Sequence, residues 1–361
     1  MKAKHGIVYL LLAIFSSSCI REEAPNAEAD ILSCRLPGVV MTTSPIITNN
    51  SINIFVGPGT DISSLAPEFT LTPGATIDPP SGTARDFHSP QQYTVTAADG
   101  FWKKKYAVSV IDTELATIYN FEDTLGGQKY YIFVEREGEK VVMEWASGNA
   151  GYAMTGVPKT ADDYPTFQIA NGKTGKCLSL VTRSTGFFGG LMGMPIAAGN
   201  LFIGSFDVGN AMSNPLKATK FGLPFRHIPT YLAGYYKYKA GDQFTEGGKP
   251  VGGKRDICDI YAIMYETSES VPTLDGTNAF TSPNLVSIAR IDDAKETDEW
   301  TYFKLPFNML AGKYIDKEKL TAGKYNVAIV FTSSLEGDHF NGAIGSTLLI
   351  DEVELIYRSE N

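Results

Sequence analysis

The chain has 361 residues, with 31 Lys and Arg against 40 Asp and Glu, a formal net charge of −9 and 20% charged residues. That length is enough for two domains with proper cores. Acidic charge scattered along the chain argues against nucleic-acid binding and against a basic membrane-binding face, and leaves neutral glycans compatible.

Lys2 and Lys4 precede an apolar run from Ile7 to Phe15, then Ser16, Ser17, Ser18 and Cys19. The run is too short for the roughly 20 residues that span a bilayer and matches a signal core. The order resembles a bacterial lipobox, with serine just before the cysteine where alanine or glycine is commoner. It implies a signal peptide over 1–18, lipidation of Cys19 and an outer-membrane lipoprotein at the cell surface, with ordinary secretion as the alternative. Loss of residues 1–18 removes two lysines and leaves 29 basic against 40 acidic residues, or −11. Ile20, Arg21, Glu22 and Glu23 resemble the acidic export signal of surface lipoproteins, and residues 19–30 read as a tether.

Residues 31–112 form one expected unit. Ser51–Val56, Gln92–Ala98 and Tyr106–Ile111 read as strands, with the hairpin signal Asp99-Gly100 between the last two. Gly57-Pro58-Gly59, Pro73-Gly74 and Pro79-Pro80 mark turns. No long stretch has a helical period, so the expectation is a small β-sandwich. The ending resembles the Ig-like modules that follow lipidated cysteines in bacterial surface proteins, which implies a spacer or stalk.

After Asp112 to Ala116 come many short strand candidates. They are Thr117–Phe121, Tyr130–Val134, Val141–Trp145, Cys177–Thr182, Leu201–Asp207, Tyr231–Lys239, Asp259–Tyr265, Leu285–Ile291, Trp300–Leu305, Tyr325–Thr332 and Thr347–Tyr357. Ser213–Lys220 reads as a helical turn. The whole chain is therefore expected to be all-β, an Ig-like sandwich followed by a larger jelly roll over 117–358.

Catalytic signatures are few. Gly248 to Lys254 nearly spells a phosphate loop, but Arg255 stands where Ser or Thr must bind magnesium, and no strand–helix unit surrounds it. His88, His227 and His339 are dispersed without HExxH, and no GxSxG elbow occurs. Cys34, Cys177 and Cys258 form no CxxC or Cys/His cluster, which argues against structural zinc. They read as buried free thiols, with one disulfide as the alternative. Catalytic residues stay unassigned and no cofactor is required.

Two groups of residues suggest binding. In Tyr231–Lys239, a period of two places Tyr236 and Tyr238 on one face and Tyr231, Tyr235, Lys237 and Lys239 on the other. Aromatic rings suit the C–H faces of sugars, so Tyr235, Tyr236, Tyr238, Trp145, Trp300 and Asp338 are the glycan-contact candidates, although a ring on a strand is more often core than platform. Glu122 in the opening Phe-Glu-Asp and Asp351 in the closing Ile-Asp-Glu-Val-Glu-Leu resemble acidic pairs that help hold structural calcium in carbohydrate-binding β-sandwiches. The resemblance implies a calcium site there, with a capped strand pair as the alternative.

Three blocks carry a wider resemblance: Leu223–Pro229 running into Gly234–Tyr238, Asp259–Tyr265, and Ser333 to Asp351. Together they resemble the "putative carbohydrate metabolism domain" of bacterial surface lipoproteins over residues 117–358, although Ile228 stands where that pattern has a basic residue. The resemblance implies a jelly roll and a link to glycans, and brings no catalytic residues with it. Three readings follow: a glycan-binding lipoprotein in carbohydrate use, a glycoside hydrolase with Asp338 and Glu122 as placeholder acids, and an adhesin with surface-protein partners. In each, the lipid anchor is the expected contact with the membrane.

Overall fold

The computed structural model describes residues 26–39, 41, 45–57, 60–112 and 114–358. Cys19, the signal segment and most of the tether lie outside these residues. Ala29 and Asp30, expected in the tether, instead pack onto the first unit. Ala29 is in its core, and the Asp30 carboxylate pairs with Lys104 and accepts from the Tyr106 hydroxyl at 3.1 Å.

In the first unit a five-stranded sheet has the order β2 (Ile46–Ile47), β3 (Ser51–Phe55), β7 (Lys103–Ile111), β6 (Gln91–Thr96) and β5 (Thr76–Asp78). β3 and β7 run parallel, and the other pairs antiparallel. A two-stranded pair, β1 (Ile31–Arg35) with β4 (Glu68–Leu71), shares one core with that sheet through Ile31, Cys34, Ile52, Ile54, Tyr93 and Val108. Asp99-Gly100 makes the expected turn between β6 and β7, with Gly100 at φ +73°. Phe55 and Ile111, at the ends of β3 and β7, reach into the core of the second unit, and Arg226 lies 3.7 Å from Glu114 at the same junction.

The second unit is a sandwich of two antiparallel sheets. The first sheet has the order β9 (Thr166–Ile169), β10 (Cys177–Val181), β19 (Thr347–Arg358), β13 (Ile228–Lys239) and β16 (Thr297–Pro306), with β8 (Ile118–Tyr119) also paired to β19. The second has the order β11 (Asn200–Phe202), β18 (Tyr325–Thr332), β14 (Asp259–Glu266), β15 (Leu285–Arg290) and β17 (Asn308–Met309), with β12 (Leu223–Pro224) on β18. Between them lie Leu232, Tyr236, Tyr238, Phe303, Leu348 and Ile350 from the first sheet and Ile260, Ala262, Met264, Val327, Ile329 and Phe331 from the second.

The two sheets differ on their outer faces, and the residue pattern explains why. β14 and β18 are almost continuously apolar and almost wholly buried, as strands covered on both sides must be. Their outer face carries a second core of Tyr261, Ile263, Tyr265, Ala328 and Val330 beneath Phe202, Phe221, Leu274 and Ala279. β13 alternates along Tyr231–Lys239, and its outer face is open.

The expected strand at Tyr130–Val134 forms differently. The hairpin starts at Val134, running Val134–Glu137 against Lys140–Glu144, because Tyr130 turns away to place its ring 5.2 Å from that of Tyr164. The expected helical turn is present at Pro215–Ala218. No described helix is long and apolar enough to cross a membrane.

Candidate functional site

The covering of the second sheet leaves a cavity of about 520 Å³, within the roughly 300–1,000 Å³ usual for small-molecule sites. Asp259 and Tyr261 are two residues apart on β14 and so share its outer face. Arg290 of β15 sits opposite Tyr261 in the register. From there its Nε donates to Asp259 Oδ1 at 3.1 Å, and a second guanidinium nitrogen lies 2.7 Å from Oδ2. The same guanidinium lies 4.4 Å from the ring centre of Phe280, whose ring is 4.9 Å from that of Tyr261. The result is a cluster in the cavity wall: a bidentate ion pair with its guanidinium against Phe280, and the Tyr261 ring tilted 55° to that of Phe280. Burial pushes the Asp259 carboxyl above the usual carboxylate range, against the opposing pull of Arg290.

Another part of the lining comes from the long block after Ser333. A short 3₁₀ turn, Gly337–His339, exposes Asp338 and His339, with the imidazole Nδ1 2.7 Å from Asp338 Oδ1. Phe340 then adopts a left-handed conformation, φ +58°. This turn is anchored from below. Oδ2 of buried Asp256 accepts from Ser334 Oγ and Ser346 Oγ, both at 2.6 Å, and from the Ala343 N–H at 2.8 Å. Much of the remaining lining is apolar, including Phe188, Met194, Phe206 and Met212, with Thr166, Asn200 and Glu336 among its polar members.

The six glycan-contact candidates separate. Asp338 lines the cavity. Trp145, Tyr236 and Tyr238 are core residues, 3%, 4% and 1% exposed, so no ring face is left for a sugar. Trp145 packs edge-on against Tyr119 at 5.0 Å and donates its indole N–H to Glu135 at 2.9 Å. Tyr235 and Trp300 lie on the outer face of the other sheet, on the far side of the sandwich from Asp338, because their inward neighbours Tyr236 and Phe303 share the central core.

Glu122 and Asp351 do meet, but around a turn of peptide. Glu122 Oε1 accepts the Lys176 N–H at 2.8 Å, Asp351 Oδ2 the Thr174 N–H at 3.0 Å, and Asp351 Oδ1 the Glu352 N–H at 2.8 Å. Calcium needs several free oxygens, whereas these oxygens face N–H donors. Among the described residues no cluster of three His, Cys, Asp or Glu could hold a metal. Glu122 is also absent from the cavity lining, so it makes no acidic pair with Asp338 there. Cys34, Cys177 and Cys258 are buried free thiols, and burial pushes the Cys34 thiol up to about 12.

Sequence reasoning did not select Asp259, Arg290, Tyr261 or Phe280. The one local signal was an acid opening an otherwise apolar strand, Asp-Ile-Tyr-Ala-Ile-Met-Tyr.

Fold and site together define an all-β protein with a small sandwich, a larger sandwich and a ligand-sized cavity on one outer face of the latter. A family model described as "Putative carbohydrate metabolism domain" matches residues 120–356, and the chain belongs to that family. A second model, "SGBP, N-terminal", matches residues 31–110. A crystal structure described as "a putative glycoside hydrolase" from Bacteroides thetaiotaomicron is similar at 98% identity and a TM-score of 0.91, over 94% of this chain and 100% of that one. Another with the same description, from Bacteroides vulgatus, is similar at 49% identity and a TM-score of 0.64, over 68% of this chain and 99% of that one. No curated protein matches.

Proposed function

We propose that this chain binds glycan at the bacterial cell surface, with the cavity on the second sheet as its sugar site. The carrying observation is the cluster of Tyr261 and Phe280 rings against the Arg290 guanidinium, which is paired with Asp259. A sugar has apolar C–H faces and a rim of hydroxyls, so a ring beside fixed donors and acceptors suits it. Asp338 and His339 supply further polar groups in the lining. The family description and the surface glycan-binding sense of the first unit's match support the same reading. Cys19, lipidated after loss of residues 1–18, is the proposed outer-membrane anchor.

The test is affinity electrophoresis against a panel of neutral polysaccharides. One of them is expected to slow the intact chain, and Phe280→Ala or Asp338→Ala to abolish the slowing with the fold unchanged by circular dichroism. No retardation by any of the panel, or retardation indifferent to both changes, sinks the reading. For the anchor, processing of the precursor should be blocked by globomycin, and Cys19→Ala should remove that sensitivity.

One observation favours hydrolysis as a second reading. Asp259 and Asp338 line one cavity, and burial raises the Asp259 carboxyl against the pull of Arg290, the direction a general acid needs. Release of reducing sugar that disappears in both Asp259→Asn and Asp338→Asn would favour it, and survival of release in either would remove that pair.

A further inference from the structure

We infer that the open outer face of the first sheet is a second glycan site, separate from the cavity and selective for acidic polysaccharides. Tyr235 of β13 and Tyr302 of β16 are directly opposed in the register, with ring centres 5.3 Å apart. Trp300 lies two residues along β16, and Tyr231 four residues along β13. Four residues of strand cover about 13 Å, the reach of an oligosaccharide rather than of one sugar. Tyr302 is 54% exposed and Tyr231 38%.

Each part of this strip carries a lysine. Lys173 Nζ lies 5.1 Å from the Tyr235 ring centre, Lys237 Nζ 5.3 Å from Trp300, and Lys304 Nζ 4.4 Å from Tyr231. Among the described residues none of these three forms an ion pair with a carboxylate. In a chain of net charge −9, these three ammoniums are held over aromatic rings rather than in ion pairs. Glu354 beside Ala233, Asp298 two residues before Trp300, and Glu122 and Asp351 at the Lys173 turn are the nearby carboxylates, and none of them is paired with these three lysines.

Lys173 is placed deliberately by the fold. It sits on the turn whose N–H groups are held by Glu122 and Asp351. Gly175 in that turn has φ +58°, and a Cβ there would lie 2.0 Å from Glu122 Oε1. The acidic pair thus fixes the turn that brings an ammonium to Tyr235. Rings for sugar faces, interleaved with unpaired ammoniums, complement a glycan carrying carboxylate or sulfate groups.

The test is affinity electrophoresis of the full chain in gels containing polygalacturonate, dextran sulfate or neutral dextran. Retardation is expected with one or both polyanions and not with dextran. Tyr302→Ala and Lys237→Gln should each abolish it, and Phe280→Ala in the cavity should leave it unchanged. Polygalacturonate alone would identify carboxylate as the recognised group, and dextran sulfate alone sulfate. Absence of retardation by both polyanions, equal retardation by dextran, or retardation that survives Tyr302→Ala but not Phe280→Ala would each overturn the proposal. Because the cavity variant is scored separately, failure here does not bear on the cavity reading.

Discussion

The Ser334 hydroxyl donates to Oδ2 of Asp256 across 2.6 Å, inside the protein. Ser346 donates to the same oxygen, so one buried carboxylate closes both ends of the segment that carries Asp338 and His339. Burial holds the Asp256 carboxyl above its ordinary range while these donors and the Ala343 N–H pull the other way. Ser334→Ala should cost about 1–2 kcal/mol of stability, the usual effect of taking a partner from a buried acceptor. It should also weaken ligand binding in the cavity as the rim loosens. Urea denaturation and titration of the same preparation check both.

Asp259 keeps only 5% of its side chain exposed, whereas its partner Arg290 keeps 37%. Removing the more exposed member should therefore do the greater harm. Arg290→Met strands a buried carboxylate and should cost about 3–5 kcal/mol at neutral pH. A stranded carboxyl has a folded-state pKa raised above its unfolded value, so the deficit should shrink as pH falls toward 4 and Asp259 takes up a proton. Melting curves of the variant against pH test this, and a deficit that grows on acidification would contradict it.

Glu135 accepts the Trp145 indole N–H at 2.9 Å, and burial raises its carboxyl from 4.5 to about 7. The folded pKa is above the unfolded one, so this group's contribution is fully present below pH 4.5 and lost as pH rises through about 7. The loss is up to about 3 kcal/mol, at 1.36 kcal/mol per unit. Glu135→Gln should flatten that part of the stability profile, which calorimetry between pH 4 and 8 would reveal.

Glu122 and Asp351 hold N–H groups of their turn, which gives it peptide partners without a metal. The melting temperature should be the same in EDTA and in millimolar calcium. Gly175→Ala should destabilise by about 1–3 kcal/mol, since the residue would sit in a left-handed conformation with its Cβ against Glu122. A calcium-dependent rise in melting temperature would restore the metal reading.

Much of the fold was legible because its causes are local. Alternation along Tyr231–Lys239 correctly separated Tyr236 and Tyr238 from Tyr231 and Tyr235, since successive strand residues point to opposite faces. The strand expected at Asp259–Tyr265 is present, and its nearly continuous burial shows that it is covered on both sides. Thr166–Ile169 gave no such signal: it is short, and it pairs with Cys177–Val181 after an intervening turn. Tyr130 was misread because aromatic content does not reveal which neighbour a ring will join.

By itself, then, the sequence determined the all-β class, where most of the strands lie along the chain and which side of Tyr231–Lys239 is apolar, all properties of period and turn chemistry. It also singled out Asp338 and the Glu122–Asp351 pair as residues of interest. Only the tertiary structure decided their surroundings. The cavity exists because residues distant in the chain, Asp259, Arg290 and Asp338, converge on a covered sheet. The supposed metal ligands hold a turn because peptide N–H groups, which carry no residue-specific code, fold back onto them. Convergence and backbone donation are set by packing, and a one-dimensional pattern records neither.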